Sequence, residues 1–214
     1  MRDTGDAVVV RGEEELFERT AHLFATAGEV ACAANDLHTW AAARRRRSGT
    51  ARHPATLRVR KIYRPGVLLD PATARHLREV AEAGADIRIT AEEINETIIL
   101  DRRLAILAGD LAAGVRGYSV VTVPEVVQGV CSLFEAAWRG ATELAVYESR
   151  FAEIRLLAPR ILDLLGSGCK DETAARRLGM GLRTYRRRVA ELMAALGATS
   201  RFQAGIRARE LGLV

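Results

Sequence analysis

From Asp171 to Gly197 the chain reads DETAARRLGMGLRTYRRRVAELMAALG, two short helical patterns meeting at Gly179-Met180-Gly181. A glycine-bracketed break of this length is what joins the two helices of a helix-turn-helix. In the second pattern Tyr185, Val189, Leu192 and Leu196 recur at i, i+4, i+7 and i+11, a single apolar stripe able to seat the helix on a small core. At about 100° per residue, Arg183, Arg186 and Arg187 point away from that stripe and Arg188 falls at its margin. A helix buried on one side and guanidinium-rich on the other fits the major groove, where arginine pairs with guanine O6 and N7. Charge alone leaves a second reading open, a solvated basic face on a helical bundle.

The flanking residues favour the first reading. Ala174, Ala175 and Leu178 give the preceding helix a packing face, Asp171 stands where it can cap that helix, and Gly197 ends the second one at a C′ position. A last amphipathic segment follows, with Ser200 as cap and Phe202, Ile206 and Leu211 as apolar contacts, so the whole predicts a four-helix unit with the basic helix third. The charge is placed accordingly. The chain carries +5 overall, but residues 151–214 hold 12 basic against 6 acidic groups, a local +6, leaving 20 against 21, or −1, for residues 1–150. A uniformly basic surface would not concentrate its excess in one segment.

These residues resemble the LuxR-type helix-turn-helix over roughly 154–214, through ILDLLGSG (161–168), AARRLGMGLRTYRRRV (174–189) and LMAALGATSRFQAGIRARELGLV (192–214). The resemblance implies a recognition helix at about 182–196, with base-reading positions at Arg186, Arg187 and Ala190, and backbone-holding positions at Thr184 and Arg188. Ala190 has no side-chain donor, so readout there would be by apolar contact, for instance with a thymine methyl. The resemblance also implies a homodimer paired through the fourth helix, at Phe202, Ile206 and Leu211, on an inverted-repeat operator in double-stranded DNA. The chain departs from the family where Arg155-Leu156-Leu157-Ala158 replaces Thr-x-Arg-Glu, and where Thr173 replaces a glutamate. Those changes remove capping and salt-bridge groups from the first two helices.

Ahead of this unit the pattern is α/β. A helix is predicted from Glu13 to Ala27, a buried strand at EVACAAN (29–35), a strand at LRVRKIY (57–63), a helix from Pro71 to Ala83 closed by Gly84, and a strand at DIRIT (86–90). ETIILD (96–101) and RLAILAG (103–109) form a hairpin turning at Asp101-Arg102, YSVVTV (118–123) is a further strand, and Pro124 opens a helix through 125–150. The block Arg44-Arg45-Arg46-Arg47 is read as a solvated loop rather than a second nucleic-acid contact. Element order, VRKIYRPGVLLDPATARHLREVAEAGADIRI (59–89) and ETIILDRRLAILAG (96–109) resemble the phospholipase-D-like sensor domain of TrmB-type regulators and of actinobacterial regulators that join it to a LuxR-type C-terminus. The expected organisation is therefore an α/β domain with a mixed, phospholipase-D-like sheet over residues 1–148 and an all-α four-helix domain over 149–214.

Catalysis is not expected. A working phospholipase-D-like site needs His-x-Lys and then, after four intervening residues, Asp, the histidine attacking phosphorus and the lysine neutralising phosphate. Counting back from Asp101 puts Ile94 at the histidine position and Glu96 at the lysine position, and none of His22, His38, His53 and His76 begins a His-x-Lys. A phosphorylatable receiver domain is equally unsupported, since no lysine lies between Lys61 and Lys170. No phosphate-cradling glycine motif or metal-ligand spacing is present, so no cofactor and no metal are expected. Cys32, Cys131 and Cys169 read as reduced thiols of a cytoplasmic protein, no window is apolar enough to span a membrane, and Trp40, Tyr63, Tyr118 and Trp138 read as core. The expected function is sequence-specific, DNA-binding transcriptional regulation, with an unidentified small-molecule or protein effector acting at the N-terminal domain. The competing classes are a phosphodiesterase or nuclease on the same scaffold and a protein-interaction module of a DNA-bound complex.

Overall fold

The computed structural model describes residues 7–35, 57–112 and 114–214, so the Arg44–Arg47 run, His38, His53 and Trp40 lie outside the described residues. Strands β1 (Ala7–Arg11), β2 (Glu29–Ala34), β3 (Arg58–Tyr63), β4 (Asp86–Ile89), β5 (Thr97–Leu100), β6 (Leu104–Ala112), β7 (Val115–Val121) and β8 (Thr142–Glu143) form one mixed sheet. Their order is β1-β7-β6-β5-β2-β3-β4-β8. β2, β3 and β4 run parallel and the remaining pairs antiparallel. The helices are α1 (Glu13–Thr26), α2 (Pro71–Glu82), α3 (Pro124–Gly140), α4 (Leu144–Gly166), α5 (Asp171–Arg177), α6 (Leu182–Ala195) and α7 (Arg201–Glu210), with a 3₁₀ turn at Pro65–Leu68.

Alternation along the strands divides the core into two. Ala31, Ala33, Ile62, Ile99 and Ala105 face α3, which contributes Val127, Cys131, Phe134 and Trp138. Val30, Cys32, Ala34, Val59, Tyr63, Ile98 and Leu100 face the other way, toward Leu16 of α1 and Ala74 and Leu77 of α2. This second cluster does not stop at the edge of the sheet. It continues through Leu144, Phe151, Ile154, Ala158 and Ile161 of α4 into Tyr185, Val189 and Leu192 of α6 and Ala204 and Ala208 of α7.

The expected strands at 29–35, 57–63 and 86–90 and the helix after Pro71 are present, the last capped by Asp70, whose carboxylate accepts from Thr73 N at 2.8 Å. The hairpin turns where expected. Asp101 and Arg102 both take positive φ, 51° and 55°, as the central residues of a turn that Arg103 N closes by donating to Leu100 O at 3.0 Å, within a three-residue connection. The helix expected over 125–150, by contrast, is two helices. α3 ends at Gly140, Ala141 is extended, and Thr142-Glu143 pair with Ile89 and Arg88 before α4 begins. Apolar spacing runs unbroken across this point, and a two-residue edge strand leaves no periodic trace. The domain boundary expected between residues 148 and 149 consequently falls inside α4. Strand β1, which closes the far edge against β7, was also not foreseen.

Arg60 pins α3 to the sheet. Its guanidinium donates to both oxygens of Glu135, at 2.8 and 3.1 Å, and to Glu29 at 2.9 Å, while lying 5.2 Å from the Phe134 ring and 5.4 Å from that of Trp138. The Arg60 hydrogen bond holds the Glu135 carboxyl below its ordinary value. A depressed carboxylate stabilises the fold above the unfolded-state value, and that share is lost as pH falls through the folded one. Arg60→Met is expected to cost about 3 kcal/mol at neutral pH, the low end for removing one partner of a buried pair because both carboxylates keep some contact with water. Denaturant unfolding measured from pH 7 down to pH 3 should also show a flatter acid limb in the variant.

Candidate nucleic-acid interface

α5 ends in a left-handed glycine, Gly179 at φ 69°, with Met180 N donating to Ala175 O at 3.0 Å, and the chain re-enters a helix at Leu182. Ala174 and Ala175 are buried against α6, as are Tyr185, Val189, Leu192 and Leu196 on the facing side, so the apolar stripe read from the sequence is the seat of this helix. Arg183, Arg186, Arg187 and Ala190 are exposed. Their spacing, i, i+3, i+4 and i+7, makes them one continuous outer stripe. Thr184 is half-buried beside it.

Arg188 does not belong to that face. Its side chain is 13% exposed and paired with Glu153 of α4 and with Glu191, the latter at 2.7 Å. At the margin of the buried stripe, a long side chain lies along α4 rather than reaching solvent, and an acidic partner on α4 holds it there. Arg188, expected to hold phosphate, ties α6 to α4 and is not part of the exposed stripe.

Asp171 does not cap α5. Lys170 is the N-cap of α5 and makes no side-chain cap bond, while Asp171 is the first helical residue. Its carboxylate, 14% exposed, accepts from Arg186 Nε at 3.0 Å and from Arg201 Nη1 and Nη2 at 2.7 and 3.1 Å. Asp171 therefore links α5, α6 and α7. The Arg201 hydrogen bonds, with Arg186 adding to them, hold its carboxyl below the ordinary carboxylate range. Neither this link nor Glu153 was legible in the sequence, because ion pairs between helices 15 and 30 residues apart carry no local spacing signal.

On α7, Ala204 and Ala208 face inward and are fully buried, which turns Phe202 and Ile206 outward, at 80% and 45% exposure. Leu211 is on neither surface. It follows the helix end and seats against the 3₁₀ turn, where a Cβ added at Gly66 would lie 3.0 Å from Leu211 Cδ1. The expected apolar trio thus divides into an exposed pair and one internal contact. Close by, the Arg64 guanidinium covers Gly197 (φ 65°), where a Cβ would meet Arg64 Nη2 at 2.5 Å.

The sheet half holds the positions that a phospholipase-D-like site would use. Ile94 is buried in the core, the Glu96 carboxylate accepts from Asn35 N at 3.0 Å and pairs with Arg116, and Asp101 accepts from Gly28 N and Glu29 N at 2.9 and 2.8 Å. Each has a structural partner. Among the described residues no group of three or more His, Cys, Asp or Glu is placed to hold a metal, and no helix is long and apolar enough to cross a membrane.

No family model matches the chain. It is similar to the bialaphos biosynthetic pathway regulatory protein of Streptomyces hygroscopicus, with 32% identity over 166 residues, 76% of this chain. The match spans 65% of that relative's length. Solved structures similar in shape include the archaeal chromatin protein TrmBL2, at 17% identity and a TM-score of 0.46, covering 64% of this chain and 53% of that one. They also include the phospholipase D family member Nuc from Salmonella typhimurium, at 11% and 0.46, covering 64% and 98%. NucT from Helicobacter pylori matches at 9% and 0.47, covering 65% and 99%.

Arg188→Ala is expected to lower stability by about 1 kcal/mol, because Glu153 and Glu191 are 64% and 40% exposed and Glu191 keeps Arg187 at 3.7 Å. Denaturant unfolding of wild type and variant reads that loss directly.

Proposed function

We propose that this chain is a sequence-specific transcriptional regulator of LuxR-type build that works as a cytoplasmic homodimer on an inverted repeat in double-stranded DNA. The observation that carries the reading is the outer stripe of α6: Arg183, Arg186 and Arg187 lie exposed on one face of a helix whose opposite face is fully buried. Arg186 and Arg187 read base edges, Ala190 makes an apolar contact beside them, and Arg183 and Thr184 hold the backbone. Phe202 and Ile206, turned outward by the buried alanines of α7, are the pairing face. The similarity to a protein named as a pathway regulator supports the same class.

In this reading the sheet half acts without catalysis, as a sensor or assembly platform. The engagement of Glu96 and Asp101 in backbone and ion-pair contacts supports that role over phosphodiester hydrolysis. No phosphodiesterase activity is expected of the purified protein.

Selection of bound genomic fragments with the purified chain should return an inverted repeat. Arg187→Ala is then expected to lose roughly 10-fold or more discrimination at one base of each half-site, the scale of a bidentate arginine–guanine contact. A variant that protects the same operator with unchanged preference would remove the assignment. Phe202→Glu should be monomeric by sedimentation and bind the full operator more weakly while still binding a half-site, and a persisting dimer would exclude this pairing face.

A further inference from the structure

Arg186 is the one member of the outer stripe whose guanidinium is tied to a carboxylate from another helix. Asp171 accepts from its Nε at 3.0 Å, and the same carboxylate is itself fixed by two hydrogen bonds from Arg201. The Arg186 side chain nevertheless stays 58% exposed, so the clamp holds the near edge of the fork without burying it. An arginine on a helix surface otherwise samples several rotamers, and ordering it upon binding costs free energy. With Nε occupied, the two Nη groups are the donors left to face outward, and two parallel donors are what guanine O6 and N7 accept.

We propose that Asp171 is a specificity-determining positioning residue: it presents Arg186 end-on, so that its two Nη groups read one guanine per half-site. The proposal rests on the DNA-reading assignment of α6. Asp171 touches no base itself and, as an acidic group near the duplex, opposes binding to phosphate in general. Its removal therefore has opposite effects on two measurable quantities. Discrimination at the guanine read by Arg186 falls, while affinity for random duplex does not.

The test uses the full-length chain, the operator recovered from bound genomic fragments, versions of it substituted at each base, and a random duplex of equal length. Asp171→Ala is expected to lower the preference for guanine at one position per half-site about 10-fold, with random-duplex affinity equal or higher. Asp171→Asn, which keeps an acceptor oxygen at nearly the same volume, should lie between the two and serves where the alanine variant folds poorly. In an Arg186→Ala background, Asp171→Ala should change base preference no further. The proposal is overturned if wild type shows a base preference that Asp171→Ala and Asp171→Asn leave intact. It is equally overturned if Asp171→Ala weakens operator and random duplex alike in both backgrounds, since that is a purely structural loss. A wild-type chain with no base preference at all overturns the DNA-reading assignment, and this proposal with it.

Discussion

The 23-residue helix α4 belongs to both halves of the molecule, and one apolar stripe along it does the joining. Leu144, Phe151, Ile154, Ala158 and Ile161 follow one another at three-, four- or seven-residue steps and are all buried. The helix packs against β4 and β8 of the sheet half and against α6 and α7 of the helical half. Because the stripe is continuous, the core on one face of the sheet passes without a gap into the core of the helical half. The outer stripe of α6 is exposed for the same reason. A helix pressed onto α4 through Tyr185, Val189 and Leu192 has one other side, and that side carries the arginines.

Polar contacts then refine what packing decides. Arg60 fastens α3 to the opposite face of the sheet, Arg188 fastens α6 to α4, and Asp171 fastens the start of α5 to α6 and α7. All three are ion pairs between different elements. They differ in exposure: the side chains of Arg60 and Arg188 are almost withdrawn from water, whereas the Arg186 side chain, held by Asp171, is 58% exposed.

Much of this was legible in the sequence wherever a signal is local. The period of Tyr185, Val189, Leu192 and Leu196, the left-handed glycines Gly179 and Gly197, the Ser200 cap and the Asp101-Arg102 turn each act through neighbouring residues. What escaped depends on tertiary placement. Strand β1 earns its pairing from β7, more than a hundred residues away, and the break at Gly140 is made by an edge pairing only two residues long. The partners of Arg188 and the seat of Leu211 escaped for one reason, since a helical wheel shows which side a residue occupies but not which neighbour lies there. Leu211 is apolar and near the end of an amphipathic segment, yet the turn at Gly66 had already claimed it.

That seat on Gly66 has a consequence for how the molecule comes apart. The turn Pro65–Leu68 is wholly buried and extends directly from β3, at the centre of the parallel strands, while Leu211 reaches it from the far end of the chain. Melting the last helix therefore uncovers apolar surface on the sheet half, and loosening β3 removes the support beneath the last helix. With α4 shared as well, the apolar core runs continuously from one half into the other, so opening either half exposes surface of its neighbour.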